Sequence, residues 1–348
     1  MTKTVSVAGA TGYAGGEVLR LLPDHPEFEV GALCAGSSRG ALGQYHPHLR
    51  GLADREVQKT DPSALADSDV AVLGLPHGTS AEVTAAIEAI NPDCIIVDLG
   101  ADHRLESAED WQSFYGGSES EPWAYGMPEL MRAESPTQRE ILAQSKHIAA
   151  PGCNASAVTF AAQPAIAAGI ALPEGIVAVL AVGYSGAGKA MKSHLMASEA
   201  FGSTLPYGIG GTHRHIPEIA QNLRAAGGAV TTLSFTPVLV PVSRGILATV
   251  SLPVVPGTSA EDVVGAYEDA YANEKFVLSV DHVPATASVT GANTALVHAT
   301  LDRDKQRITA ICAIDNLMKG TAGAAIQSLN LALGLPEELG LNVNGVAP

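Results

Sequence analysis

Two groups of residues in this sequence have the types and spacing that chemistry needs. The first centres on Cys153, in the turn Pro151-Gly152-Cys153-Asn154 ahead of an alanine-rich stretch. A thiol at the start of a helix sits at the positive end of the helix dipole, which favours the thiolate and hence a nucleophile. Without a partner, the residue would read as a buried cysteine and no more. The segment GGTHRHIPE offers partners in His213, His215 and Glu218. A neutral imidazole can take a thiol proton and later protonate a leaving oxyanion, with a carboxylate such as Glu218 orienting it. A pair of surface-loop histidines would give the same letters, and so would a His-x-His metal site. No further ligands at metal spacing accompany them, so no metal is expected.

The second group is Gly9, Gly12 and Gly15, a G-x-x-G-x-x-G turn between the apolar run KTVSVA and the helical pattern GEVLRLL. In that setting the first glycine permits the turn. The others let backbone approach a dinucleotide pyrophosphate, and the helix start supplies free N–H groups. An NAD-selective site places an acid at the end of the next strand. Here that position reads Ala35, Gly36, Ser37, Ser38, Arg39. Ser37 and Ser38 can donate to a 2′-phosphate and Arg39 can pair with it, so NADPH/NADP is the expected cofactor. The segment GYSGAGKA resembles a nucleotide-phosphate loop, but Ala190 stands where Ser or Thr should hold magnesium. A turn carrying Lys189 toward a substrate phosphate or carboxylate is the better reading, and packing alone is an equal alternative to it.

The elements that must position these groups follow from the hydrophobic pattern. Strands are expected at 3–8, 28–34, 69–75 and 94–99, with a helix after the glycine turn and another over 80–90. Alternating strands and helices predict a Rossmann-type, doubly wound parallel sheet in an α/β fold. After a helix over 155–168 come β-rich stretches with few helices between them, among them IVAVLAVGYS, VTTLSFTPVLVPV, GILATVSLPVV and RITAICAID. They predict an α+β catalytic domain with a mixed or antiparallel sheet. A final helix is expected over 321–335. The change of pattern near Pro151 separates a dinucleotide-binding domain, 1–152, from a catalytic and substrate domain, 153–315.

The 348-residue chain carries a net charge of −16 and no cluster of Lys and Arg. That disfavours nucleic acid and acidic membranes as partners, while a small anionic substrate needs only local cations. No secretory signal and no long apolar run is evident, so a cytoplasmic protein is expected. Cys34, Cys94 and Cys312 lie in apolar strand-like runs and read as core thiols.

Taken together, the stretches VAGATGYAGGEVLRLL, LPHGTSA, GADHRL, WAYGMPEL, APGCN, SGAGK, THRHIPEIAQNL, VSRGILAT and AIDNLMKGTAGAAIQSLN resemble the N-acetyl-γ-glutamyl-phosphate reductases of arginine biosynthesis, relatives of aspartate-semialdehyde dehydrogenase. The resemblance runs from near residue 5 to the C-terminus. It implies that Cys153 attacks the acyl phosphate and that NADPH reduces the resulting thioester. A histidine would act as acid/base, with His215 preferred and His213 the alternative. It adds Thr11, Tyr13 and Asn316 to the cofactor-binding set, and Arg104, Lys189 and Arg244 as candidates for holding substrate anions. It also implies that 316–348 completes the first domain and that the protein is a homo-oligomer, a dimer or tetramer. Two departures stand out. Asn154-Ala155 replaces an aromatic and a proline, a spelling associated with lysine-pathway reductases of carrier-linked aminoadipyl or glutamyl phosphates. His103 stands where the family has Phe. The carrier-linked substrate is therefore the alternative, and an NADP-binding scaffold or sensor the non-enzymatic one.

Overall fold

The computed structural model describes residues 2–347 except Ser118 and Thr231. Thr231, in the stretch VTTLSFTPVLVPV, therefore lies outside the described residues. Two sheets organise the chain, eight strands in one and seven in the other among the described residues. The centre of the first is built from β1 (Lys3–Ala8), β2 (Phe28–Cys34), β3 (Val70–Leu73), β4 (Ile95–Asp98) and β5 (His147–Ala149). These five pair in parallel in the order β2-β1-β3-β4-β5. Every residue of β3 is buried, as expected of a strand covered by helices on both faces. The strand order reverses at β1, so the turn after β1 opens beside Gly74, whose N–H donates to Ala8 O at 2.8 Å. Ligand crevices form at such a reversal. Helix α1 (Tyr13–Leu21) follows that turn, and α2 (Ser80–Glu88) lies between β3 and β4.

Helix α3 (Cys153–Ala167) starts on the cysteine itself, two residues earlier than the sequence pattern predicts. From Asn154 to Ile166 it is buried on all sides, which explains an alanine-rich sequence without an amphipathic period. It packs on the second sheet, where β6 (Ile176–Gly183), β7 (Leu233–Val240) and β8 (Ile246–Pro253) run beside β9 (Val277–Ser279), β10 (Ala295–Leu301) and β11 (Arg307–Ile314). The sheet is mixed: β6 and β7 are parallel, while β8 is antiparallel to both β6 and β11. Ile176, Ala178, Leu180 and Val182 of β6 point into the core, and Val177 and Val179 point out.

The two longest helices in this half that the sequence reading lacks bear on the site and the core. Helix α4 (His215–Ala225) occupies part of what reads as a glycine-rich histidine loop. Helix α5 (Ala260–Tyr271) opens on a capping box in which Ser259 and Asp262 satisfy each other's backbone N–H groups. The C-terminal segment returns to the first sheet: a π-helical turn, Met318–Ala322, leads into α6 (Gly323–Ala332). Met318, Ala322, Ile326 and Leu329 share a core with Val5, Val18 and Leu19. Cys34, Cys94 and Cys312 are buried, and Cys153 is half-buried.

Candidate active site

The three glycines of the first turn divide by physical role. Gly9 has φ +80°, and a Cβ there would lie 2.1 Å from Gly74 O. A Cβ at Gly15 would lie 2.3 Å from Gly9 O. Packing alone demands both. Gly12 has an ordinary φ of −80°, and the nearest atom to a Cβ there is 3.3 Å away. It is the N-cap of α1 and no side chain caps it. What it keeps open is backbone at a helix start, which is what a pyrophosphate needs. Gly12, Tyr13, Gly15 and Gly74 line a cleft of about 330 Å³ that continues to Asn316, His215 and Cys153. Thr11 lies in the same turn. Beyond the end of β2, Ser37 and Arg39 are exposed and Ser38 half-exposed. The Arg39 guanidinium donates to Gly36 O at 3.2 Å, within the segment where an NAD-selective site would carry a carboxylate. These residues fit an NADP dinucleotide.

Cys153 also borders a second cavity, of about 290 Å³, walled by His77, Arg104, Tyr115, Asn154, Tyr207, His213, Arg214 and His215. Cys153, Arg104 and His215 belong to both spaces. A reactant seated in the second cavity therefore meets the thiol on one side and the dinucleotide cleft on the other.

The helix start does not by itself make Cys153 a thiolate. Burial pushes the thiol up to about 11, against the opposing pull of Arg104 and the Asn154 N–H. The sequence expectation of a depressed value fails because α3 starts inside the protein, where desolvation outweighs the dipole. His215 is held at about 3 by burial, then by Arg104 and His77, so its imidazole is neutral. Its Nδ1 is buried without a hydrogen-bond partner. His213, also held at about 3 chiefly by burial, is engaged differently: its Nδ1 accepts the His215 backbone N–H at 3.1 Å. Its ring packs against Tyr207 and Phe235. His213 thus fixes the start of α4 through one ring nitrogen, while the Nδ1 of His215 is left without a partner and its ring lines both spaces.

Glu218 does not orient the histidine, and that expectation is corrected. Its Oε1 accepts the Gly152 N–H at 2.7 Å and the Tyr125 hydroxyl at 2.7 Å, so it fastens the peptide before Cys153. Its Oε2 faces the Arg104 guanidinium at 3.7 Å. Arg104 is itself anchored, donating to Ala150 O at 2.7 Å and Leu99 O at 2.8 Å, and it lines both cavities. Asn316 accepts from Gly245 N at 2.8 Å and donates to Ser185 Oγ at 2.9 Å.

Two residues expected to hold substrate are placed elsewhere. Lys189 donates to Thr11 O and to Tyr45 O, at 3.3 and 3.0 Å, and borders the dinucleotide cleft, not the second cavity. No helix starts at Lys189, where a nucleotide-phosphate loop would open one; the next helical turn begins at Ser193. Arg244 is bound by both oxygens of Glu17, at 2.9 and 2.6 Å, and by Asp315 at 3.4 Å, so its charge is already spent. His103 stacks on Trp123 at 3.7 Å and donates to Glu121 O, an aromatic packing role that a Phe could share. The sequence reading missed His77, Tyr115, Tyr207 and Arg214. Only His77 and Arg214 sat in motifs already singled out, Pro-His-Gly and His-Arg-His. Among the described residues, no group of three His, Cys, Asp or Glu is gathered for a metal.

Comparison with known proteins bears on what this geometry serves. Residues 4–137 match the semialdehyde dehydrogenase NAD-binding domain, and 153–316 the semialdehyde dehydrogenase dimerisation domain. Over full length on both sides, the chain is 55% identical to the N-acetyl-gamma-glutamyl-phosphate reductase of Leifsonia xyli and 54% to that of Streptomyces avermitilis. The chain belongs to the N-acetyl-gamma-glutamyl-phosphate reductase family. Among solved structures, aspartate semialdehyde dehydrogenase II of Vibrio cholerae superposes with a TM-score of 0.70 at 16% identity, covering 96% of this chain and 99% of that one. The Candida albicans enzyme with NADP gives 0.64 at 15% identity, covering 95% and 98%. These likenesses establish the two-sheet fold. The Asn154-Ala155 departure does not move the chain out of the reductase family.

Proposed function

We propose that this protein reduces N-acetyl-γ-glutamyl phosphate to the semialdehyde and phosphate, with NADPH, through a thioester on Cys153. The observation that carries the reading is the position of Cys153 on the wall between the dinucleotide cleft and the cavity of His215 and Arg104. The N–H groups from Gly12 onward would hold the pyrophosphate, Ser37, Ser38 and Arg39 would hold the 2′-phosphate, and Asn316 would meet the nicotinamide end. In the free protein the thiol and the His215 imidazole are both neutral. An acyl phosphate brings negative charge beside Arg104, offsets the cation that depresses His215, and makes the imidazole a better proton acceptor. His215 takes the Sγ proton as sulfur bonds to the acyl carbon. It passes that proton to the phosphate, which leaves with the electrons of the broken C–O bond. When bound, NADPH would supply a hydride to the thioester carbon. The thiohemiacetal oxyanion then expels the Cys153 thiolate, which recovers a proton from solvent through His215.

A net charge of −16 suits a free anionic substrate better than an acidic carrier protein or nucleic acid. Among the described residues no helix is long and apolar enough to cross a membrane. A cytoplasmic enzyme is the reading that fits. The exposed Val177 and Val179 on the outer face of the second sheet support a homo-oligomer joined there. We also read 1–152 with 316–348 as the dinucleotide-binding domain and 153–315 as the catalytic one. The test is the reverse reaction with N-acetylglutamate semialdehyde, phosphate and NADP. A kcat/KM of roughly 10⁴ M⁻¹s⁻¹ or more is expected. A value several decades lower, restored by a carrier-linked semialdehyde, would overturn the substrate.

A further inference from the structure

Glu17 is a carboxylate with a side chain only 1% exposed, on α1 five residues after Gly12. Burial alone would raise it, but hydrogen bonds from Arg244 and Arg20 hold it below the usual carboxylate range. The Arg20 partner lies on the same helix, one turn on. The Arg244 partner comes from the loop between β7 and β8, 227 residues away. Its fork meets both Glu17 oxygens, the geometry in which a guanidinium fixes orientation as well as distance. The same guanidinium reaches Asp315, whose other oxygen accepts from the Leu317 N–H. The next residue, Gly245, donates its N–H to Asn316. One arginine therefore ties the helix that carries the pyrophosphate end of the cofactor to the strand end that carries its nicotinamide end.

We propose that Arg244 is a positioning residue for hydride delivery, setting the glycine-turn helix in register with Asn316 and Cys153. The proposal rests on the reading of this site as an NADPH-dependent reductase. Glycine-turn contacts survive when the clasp is cut, so the cofactor still binds. Its nicotinamide end then samples poses from which transfer is slow, because near-attack geometry is lost with small displacements.

The test uses the whole enzyme and the variants Arg244→Met, Arg244→Lys, Glu17→Gln and Glu17→Gln/Arg244→Met. Without any turnover, titration with NADPH should give a Kd within about threefold of the unmodified protein for Arg244→Met, but a changed nicotinamide emission spectrum. In the reverse assay kcat should fall by about 10- to 100-fold with little change in the KM for NADP. Arg244→Lys should recover part of the loss, and the double variant should be little worse than either single one. Unchanged emission and kcat in Arg244→Met would overturn the proposal. So would a loss confined to Kd, or single effects that simply multiply in the double variant. If Arg244→Met does not fold, Glu17→Gln and Arg244→Lys decide by the same readings. The emission measurement stands even if the substrate assignment fails, so the two failures are distinguishable.

Discussion

The two sides of Cys153 are made differently. The dinucleotide side is made largely of backbone, with Gly9, Gly12, Gly15, Gly74 and Gly186 bringing main chain to the cleft. The other side is made of side chains, with Arg104, Tyr115, Tyr207, His213, Arg214 and His215 converging from distant segments. A phosphate-rich ligand common to many enzymes is held by N–H groups and a helix start, which any sequence with the right glycines can offer. A particular acyl phosphate needs charges and rings set at particular places, and these depend on how the second sheet and α4 meet the first.

That contrast is sharpest between the two histidines. His215 faces both spaces, whereas His213 lines only the second and gives its Nδ1 to the start of α4. Replacing His215 with Asn should lower kcat by roughly 10²- to 10⁴-fold, the span of a general acid–base contribution. His213→Asn should cost much less in kcat and should lower Tm as well. Equal losses in kcat, with equal stability, would erase the distinction drawn between them.

The glycines give the next largest contrast. Gly9→Ala and Gly15→Ala should destabilise the fold by a few kcal/mol, because each new Cβ meets backbone that cannot move away. Gly12→Ala should lower Tm far less than either and should weaken NADPH binding. Thermal melts with and without NADPH separate the two outcomes. A large loss of Tm in Gly12→Ala would show that this glycine, too, serves packing only.

A smaller effect concerns the thiol. With Cys153 pushed up to about 11, alkylation of the free enzyme by iodoacetamide should quicken by about tenfold per pH unit from 7 to 10. The sign follows from the reactive form: thiolate is scarce below the raised value and grows as pH climbs toward it. A rate already level near pH 7 would mean that the helix start wins over burial after all.

These differences match what could be read in the sequence. β1, the glycine turn and α1 are local, and their period and glycine spacing are written in consecutive residues. Cys153 stood out because Pro-Gly before an apolar helix is a local signal too. Tyr115 and Tyr207 had no such signal, since they reach the cavity from loops whose paths are set by tertiary packing. Glu218 was noticed for the wrong reason: its place three residues after His215 suggested a histidine partner. Only the fold reveals that Gly152 N and Tyr125 claim it. Arg244 was misread because a cation in a motif looks like an anion holder until Glu17, buried on a distant helix, comes into contact with it. Helix α5 was legible and overlooked, as its Ser259–Asp262 capping box lay in plain sequence.

If Cys153 carries the acyl group between the two spaces, starving the reverse reaction of phosphate traps it there. With N-acetylglutamate semialdehyde and NADP alone, the enzyme should release one equivalent of NADPH per active site in a burst. Intact-protein and peptide mass spectrometry should then find the acyl group on Cys153, and Cys153→Ala should give neither burst nor adduct while binding NADPH normally. A burst in Cys153→Ala, or an acyl group on any other residue, would contradict the account.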